Sequence, residues 1–296
     1  MRKEMKKTLF WGIILALLVV VSACEKPILD GGQTKKKGFR VSVTVGVGEK
    51  AVAGAKSRAL VDIDEVCSCL NAAVYKDGVK QSGINQNKGD KNFGILNFNL
   101  PEGDYLLVVI GHSGTKNVSL AHADKVKFEG GLTDTFLYHE SLHVNSNMET
   151  SITLERCVAK VEFHVDDPIP EKITHLRFTY TGGSSTLDAT QGVGCVNSHQ
   201  TEVRTIENAA HQAASSFSIY TFPKAQEGKL KVTMTALGAN ETILAEHTFT
   251  ALKIVKNGIN HVRGLTFSSG GQPTARGIKV KVEDAWAVSF DTIDWD

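Results

Sequence analysis

The segment His139-Glu140-Ser141-Leu142-His143 has the spacing H-E-x-x-H and is the clearest candidate for catalytic chemistry. On a helix, histidines four positions apart share one face and can bind Zn²⁺, with the glutamate as general base of a peptidase. Here residues 133–138 have the composition of a turn and a strand, and the polar residues 145–147 would end a helix within a turn. We therefore interpret the segment as strand and expect no catalytic residue, metal ligand or cofactor. A zinc peptidase using these three residues is the least favoured alternative.

Cys24 offers a different chemistry, the covalent attachment of lipid. Basic residues at positions 2, 3, 6 and 7 precede an apolar run over residues 9–21, and Ser22 and Ala23 are small. This arrangement is typical of a secretory signal, and the run is shorter than the roughly 20 residues that a spanning helix needs. The stretch 21–24 resembles the bacterial lipobox, which implies a signal peptide over residues 1–23, cleavage between Ala23 and Cys24, and lipid on Cys24. Two or more acyl chains, such as palmitate, would anchor the protein stably.

Four further cysteines, Cys67, Cys69, Cys157 and Cys195, would be exported with the chain. Export permits disulfides. Cys67 and Cys69 are two positions apart and would point to one face of a strand, which suits a bridge poorly. A bridge between Cys157 and Cys195 stays open, and four free, buried thiols are slightly preferred.

The elements that would carry these residues are strands. Apolar side chains alternate with polar ones over residues 39–47, and again at positions 96, 98 and 100. Residues 70–75 and 105–110 are apolar runs, and Asp77-Gly78 between the first of them and the next segment predicts a hairpin turn.

The second half of the chain repeats this pattern. Alternation recurs over residues 152–154, 161–165, 176–180, 217–219, 230–234 and 259–267, and residues 203–214 are the candidate for a short helix. Many short strands at spacings of roughly 8–12 residues favour an all-β sandwich or barrel. About fourteen strands predict two tandem β-sandwich domains, over residues 38–150 and 151–296, after a flexible tether over residues 24–37.

The charge balance does not favour a strongly charged partner. The net charge is +1, so no broad field favours nucleic acid or acidic lipid. His164, His247 and His261 fall on predicted strand faces and are expected to be solvated. Trp286 and Trp295 could be platforms on which a sugar stacks, which makes a surface glycan-binding lipoprotein an alternative function, although tryptophan more often lies in a core.

Three segments together resemble the FimB/Mfa2-like fimbrial anchor lipoproteins of Bacteroidales. They are the signal end at 22–25, the turn and strand from Leu100-Pro101-Glu102-Gly103-Asp104-Tyr105 to 111, and the strand from 154 to 163. The resemblance covers roughly residues 20–267. It implies two transthyretin-like β-sandwich domains and an outer-membrane, surface-exposed location. It also implies a non-catalytic role in cell adhesion, as an anchor or accessory assembly subunit of a fimbrium.

The expected partners are fimbrial pilin subunits, bound by β-strand addition, in which main-chain hydrogen bonds give affinity. Residues 278–282 alternate again after the break at 268–273. This segment either completes the second sandwich, which is favoured, or serves a neighbouring subunit. Arg58 resembles the trypsin-like cleavage point of shaft subunits, which anchors are expected to lack.

Overall fold

The computed structural model describes residues 38–48, 60–267, 274–275, 286 and 288–292. Most of these residues lie in β-strands, and the helical segments among them are single turns, which confirms the all-β prediction. The helices of the described residues are all short, and none of them has the length and hydropathy needed to cross a membrane.

Most strands of the first half coincide with the segments in which the sequence alternates or is continuously apolar. They are β1 (Phe39–Gly48), β2 (Leu60–Val61), β3 (Cys69–Lys76), β4 (Val79–Asn87), β5 (Ile95–Leu100), β6 (Gly103–His112), β7 (Val126–Lys127), β8 (Thr135–Val144) and β9 (Met148–Arg156), with one helical turn, α1 (Ile63–Val66), before β3.

The second half continues with eleven strands. They are β10 (Ala159–Val165), β11 (His175–Thr181), β12 (Thr186–Asp188), β13 (Val193–Gly194), β14 (Gln200–Thr205), β15 (Ser215–Thr221), β16 (Glu227–Leu237), β17 (Ile243–Val255), β18 (Gly258–Thr266), β19 (Thr274–Ala275) and β20 (Val288–Thr292). Two 3-10 turns, Asn208–His211 and Ala239–Glu241, lie between them.

The first half folds as two sheets around one core. In one sheet β1 pairs antiparallel with β5 and β2 and parallel with β9; in the other the order is β8-β6-β3-β4. β9 joins the two, because its last residues pair with β8. The alternating valines from Val41 to Val47 all point into this core, so the period-two pattern of β1 reports its buried face.

The second half repeats the arrangement with different strands. One sheet has the order β15-β10-β18, and β18 also pairs with β19 antiparallel and with β20 in parallel; the facing sheet has the order β14-β11-β16-β17. Phe163 lies between them with Phe178 and Phe249, at ring-centroid distances of 5.0 and 5.5 Å. Such aromatic pairs stabilise a core beyond the area that they bury.

A third apolar cluster contains residues of both halves. Tyr75 and Ile110 of the first half pack in it with Phe222 and Ile259 of the second. A short ladder adds to this contact, because β12 pairs with β7 of the first half as well as with β13. The division into two domains at residues 150 and 151 stays a prediction; β9 runs across that position and pairs with strands of the first half.

The Asp77-Gly78 turn is confirmed as a hairpin. Asp77 and Gly78 have φ of 52° and 75°, and β3 pairs with β4 on either side of them. Positive φ at both central residues fits the two-residue hairpin turn whose twist matches that of the flanking strands.

The predicted helix over residues 203–214 is wrong. Residues up to Thr205 form β14, which pairs with β11, and only the 3-10 turn Asn208–His211 follows. Strand pairing satisfies the backbone of Val203 and Arg204, and tertiary contacts of this kind override weak helix propensity. The predicted strand over residues 278–282 lies outside the described residues, whereas β20 adds to the sheet of its own chain.

Candidate functional site

The predicted lipid site lies outside the described residues. These begin at Gly38, so lipid on Cys24, cleavage after Ala23, the tether and the role of Arg58 all stay predictions. The described residues contain the other candidate features, which are exposed strand edges, a cavity and clusters of polar side chains.

The His139-Glu140-Ser141-Leu142-His143 segment is strand, as predicted, and belongs to β8. Four residues of strand span about 13 Å, so His139 and His143 are too far apart to bind one metal ion, and Glu140 points to the opposite face. His143 instead pairs with Asp104 of β6, Nδ1 to Oδ1 2.6 Å, on the exposed surface. The arrangement does not form the zinc site that this motif makes on a helix.

Four large apolar side chains are exposed among the described residues, and each lies on a strand at the edge of its sheet. They are Val79 of β4, Ile95 of β5, Val203 of β14 and Ile243 of β17. An edge strand presents backbone N–H and C=O groups that can pair with another chain. These four edges are therefore the candidate surfaces for strand addition.

The edges differ in charge. β5 reads Ile95-Leu-Asn-Phe-Asn-Leu100 and contains no charged residue, whereas β4 carries Lys80, and β14 and β17 carry residues of both signs. Charged side chains on an edge oppose the addition of another strand. β5 is thus the least protected of the four edges.

A polar side chain fixes the start of β5 next to β4. Gln86 of β4 donates Nε2–H to the carbonyl oxygens of Ile95, at 2.9 Å, and Asn92, at 3.1 Å, and its Oε1 accepts from the N–H of Gly94 at 3.0 Å. The β4 and β5 edges therefore meet on the same side of the first sandwich, opposite the corner made by β9.

Trp286 is buried, so the prediction that its ring could stack against a sugar is wrong. It is 9% exposed, and the guanidinium of Arg156 lies 4.1 Å from its ring centroid. Arg156 also donates two hydrogen bonds to the carboxylate of Asp134, at 2.7 and 2.9 Å. The indole face is thus already occupied by a cation that is itself fixed. Trp295 lies outside the described residues.

The four cysteines of the described chain are free thiols, and no bridge joins Cys157 to Cys195. Burial raises the pKa of both the Cys67 and the Cys157 thiol to about 12, and it also raises the pKa of Cys69. A thiol with a raised pKa is a poor nucleophile and metal ligand. Cys195 is exposed, against the expectation that all four are buried.

A cavity of about 540 Å³ lies at the β3–β4 hairpin and is acidic. Asp77, Asp104 and Asp124 line it. Its two tyrosines use their hydroxyl groups internally, since Tyr75 donates to the carbonyl of Leu120 and Tyr105 to that of Pro101. Tyr75 and Tyr105 are both buried, so neither tyrosine presents an exposed ring face to the cavity.

One group of side chains in the described residues could hold a metal ion. Glu162 and His164 of β10 lie against His261 of β18, with their ligand atoms mutually within 4.8 Å. The hydrogen bond with His164, followed by the interaction with Lys160, lowers the pKa of the Glu162 carboxyl to about 2 against the opposing effect of burial. The expectation that His164, His247 and His261 are solvated is wrong. His261 is only 8% exposed, the side chain of His164 is 19% exposed, and burial lowers the pKa of His247. Sequence spacing could not bring residues 162 and 261 together; the parallel pairing of β10 with β18 does.

One protein-family model matches most of the length of the chain. Residues 65–286 match the family described as fimbrillin-A associated anchor proteins Mfa1 and Mfa2. No curated protein sequence matches the chain at a significant level.

Several solved structures are also similar. An adhesin candidate from Bacteroides ovatus is 14% identical, with a TM-score of 0.49 over 73% of this chain and 84% of that one. A cell adhesion protein candidate from the same species is 12% identical, with a TM-score of 0.44 over 83% and 99%. The fimbrial anchor protein Mfa2 from Porphyromonas gingivalis is 11% identical, with a TM-score of 0.40 over 71% and 82%.

Proposed function

The chain belongs to the family of fimbrillin-A associated anchor proteins Mfa1 and Mfa2, and from this premise we propose that it is the lipid-anchored subunit that holds a surface fimbria on the outer membrane. Membership of the family gives the chain an accessory role in fimbrial adhesion. The observation that carries the proposal is the extent of the family match, which includes most of both β-sandwich regions. The role is non-catalytic, because an anchor acts through binding alone.

Attachment to the membrane is proposed to occur through lipid on Cys24. The support is the order of a basic start, an apolar run and Ser22-Ala23 directly before the cysteine. A single acyl chain binds a membrane only marginally, whereas two or more give stable attachment. Thirteen residues then separate Cys24 from Gly38, the first described residue, and would form the tether.

The test of anchoring is Cys24→Ser in the native host. Wild-type protein should incorporate labelled palmitate and sediment with the outer membrane, while the variant should do neither. Cells with the variant should shed fimbriae into the medium. Cys195→Ser is the matched control, because it makes the same change at an exposed cysteine of the folded part. Membrane retention of the Cys24→Ser protein would refute lipid anchoring.

The fimbrial partner is proposed to bind by adding a strand to the outer edge of β5. Two observations support this edge. It has no charged residue, and it exposes Ile95. Gln86 already occupies the carbonyl of Ile95, so a partner strand would pair with the backbone of β5 beyond that residue. A partner strand there would form main-chain hydrogen bonds, and the side chain of Ile95 would contact its alternate residues.

The test of this edge is Ile95→Lys, which places a charge on the contact strand. Val203→Lys is the matched control, because Val203 also lies on an edge strand and has a similar exposure, 49% against 39% for Ile95. In capture of the purified fimbrial subunit, Ile95→Lys should weaken binding at least tenfold and Val203→Lys should leave it unchanged. Equal loss in both variants, or in neither, would refute the β5 edge while leaving lipid anchoring intact.

A further inference from the structure

The side chains of Glu162, His164 and His261 form a compact triangle of ligand atoms on the outer face of the second sandwich. His164 Nε2 lies 2.9 Å from His261 Nδ1, and each nitrogen lies 3.2 Å from Oε2 of Glu162. We propose that these three residues are a binding site for a divalent transition metal ion, with Zn²⁺ as the fitting ion.

The dimensions of the triangle suit an ion of this class. Zn²⁺ binds histidine nitrogen at about 2.0–2.1 Å and carboxylate oxygen at about 2.0–2.2 Å. A point about 2 Å from all three atoms lies roughly 1 Å outside the plane of the triangle, as in tetrahedral coordination with a fourth position open on that side. The ligand atoms therefore need little displacement to accept the ion.

Neighbouring groups orient two of the three ligands. Ser216 of β15 lies with Oγ 2.9 Å from Nδ1 of His164, which leaves Nε2 directed at the triangle. Lys160 donates to Oε1 of Glu162 at 2.8 Å, so Oε2 is the oxygen that faces the two histidines. Partners of this kind fix the tautomer and the orientation of metal ligands.

The chemical nature of the ligands decides the class of ion. Two imidazoles and one carboxylate suit zinc and related transition metals, whereas Ca²⁺ and Mg²⁺ require sets of oxygen ligands. The side chains are mostly buried, with exposures of 19% for Glu162, 19% for His164 and 10% for His261. Partial burial reduces competition from water for these ligand atoms, and water would supply the fourth ligand of the ion.

An ion in this position would join strands that are distant in sequence. Glu162 and His164 lie on β10, and His261 lies on β18, which pairs with β10 in parallel. β18 also pairs with β20 from Gly258 to Val262, so the ion would lie where the last described strand joins the sheet. The proposed role is to stabilise the second sandwich, and it does not depend on the proposed fimbrial anchoring.

The same distances would also allow a hydrogen-bonded triad without metal, and the experiment separates the two. The full-length chain, purified in detergent without a histidine tag and treated with EDTA, is titrated with Zn²⁺ by calorimetry. Binding of one ion per chain and a rise in Tm are expected. Co²⁺ in its place should give the absorption bands of low-symmetry coordination with nitrogen ligands.

Glu162→Gln and His261→Gln should each weaken Zn²⁺ binding at least tenfold, and Ser216→Ala should weaken it about tenfold. His143→Gln is the matched control, because it removes an exposed histidine that pairs with Asp104. Where a variant fails to fold, the wild-type Co²⁺ spectrum and stoichiometry still decide the question. No saturable binding to wild type, or equal loss in His143→Gln, would overturn the proposal.

Discussion

His112 should make the stability of this protein depend on pH in a way that one substitution removes. Its side chain is 3% exposed at the end of β6, where Nδ1 accepts a hydrogen bond from the N–H of Gly114 at 3.1 Å. Its ring meets Phe128 edge-on, with centroids 5.7 Å apart. Burial lowers the pKa of His112 from 6.5 to about 4, because the charged form loses its hydration.

The size of this pH effect follows from the difference in the pKa of His112 between the folded and the unfolded chain. Below pH 6.5 the unfolded chain takes up a proton at this histidine, while the folded chain stays neutral until about pH 4. The contribution of His112 to stability is therefore fully present above pH 6.5 and is lost as the pH falls toward 4. At about 1.4 kcal/mol for each unit of pKa difference, the loss amounts to roughly 3 kcal/mol.

The assay is urea denaturation of wild type and His112→Asn at several pH values from 7 to 4. Asparagine keeps an acceptor for the Gly114 N–H but does not titrate. All other groups titrate alike in both proteins, so the difference in free energy of unfolding isolates His112. Wild type should lose about 3 kcal/mol more than the variant over this range. His122→Asn, the same change at an exposed position, should follow wild type. Parallel pH profiles for wild type and His112→Asn would refute the reasoning.

Three further predictions concern individual contacts. Ellman's reagent should label Cys195 rapidly in the folded protein, and Cys195→Ser should remove that fast phase, because the other described thiols are buried. Gly78→Ala should lower the free energy of unfolding by about 1 kcal/mol in a denaturant titration, since the turn needs positive φ but leaves space for a Cβ. Gly183→Ala should lower it by about 2–3 kcal/mol, because its Cβ would collide with Thr221. Phe222→Ala should cost about 3–5 kcal/mol, because Phe222 is fully buried in the cluster shared by the two halves; a cost below about 1 kcal/mol would contradict the role of that cluster.

Local pattern in the sequence was enough to locate most strands and one turn. The alternation over residues 39–47 predicted β1 and its buried valines, and Asp77-Gly78 predicted the β3–β4 hairpin. The residues before and after the H-E-x-x-H segment were enough to interpret it as strand. The prediction failed over residues 203–214, where helix propensity was weak and strand pairing decided the structure.

The sequence by itself determined which residues face a core, because side chains alternate across a strand through covalent geometry alone. Only the tertiary structure decided which strands pair. β1 lies parallel to β9 across about a hundred residues of chain, and the parallel pairing of β10 with β18 brings His261 to Glu162 and His164. Such pairings depend on the packing of both sheet faces and on the entropy of closing long loops, and neither is a property of any local stretch of residues.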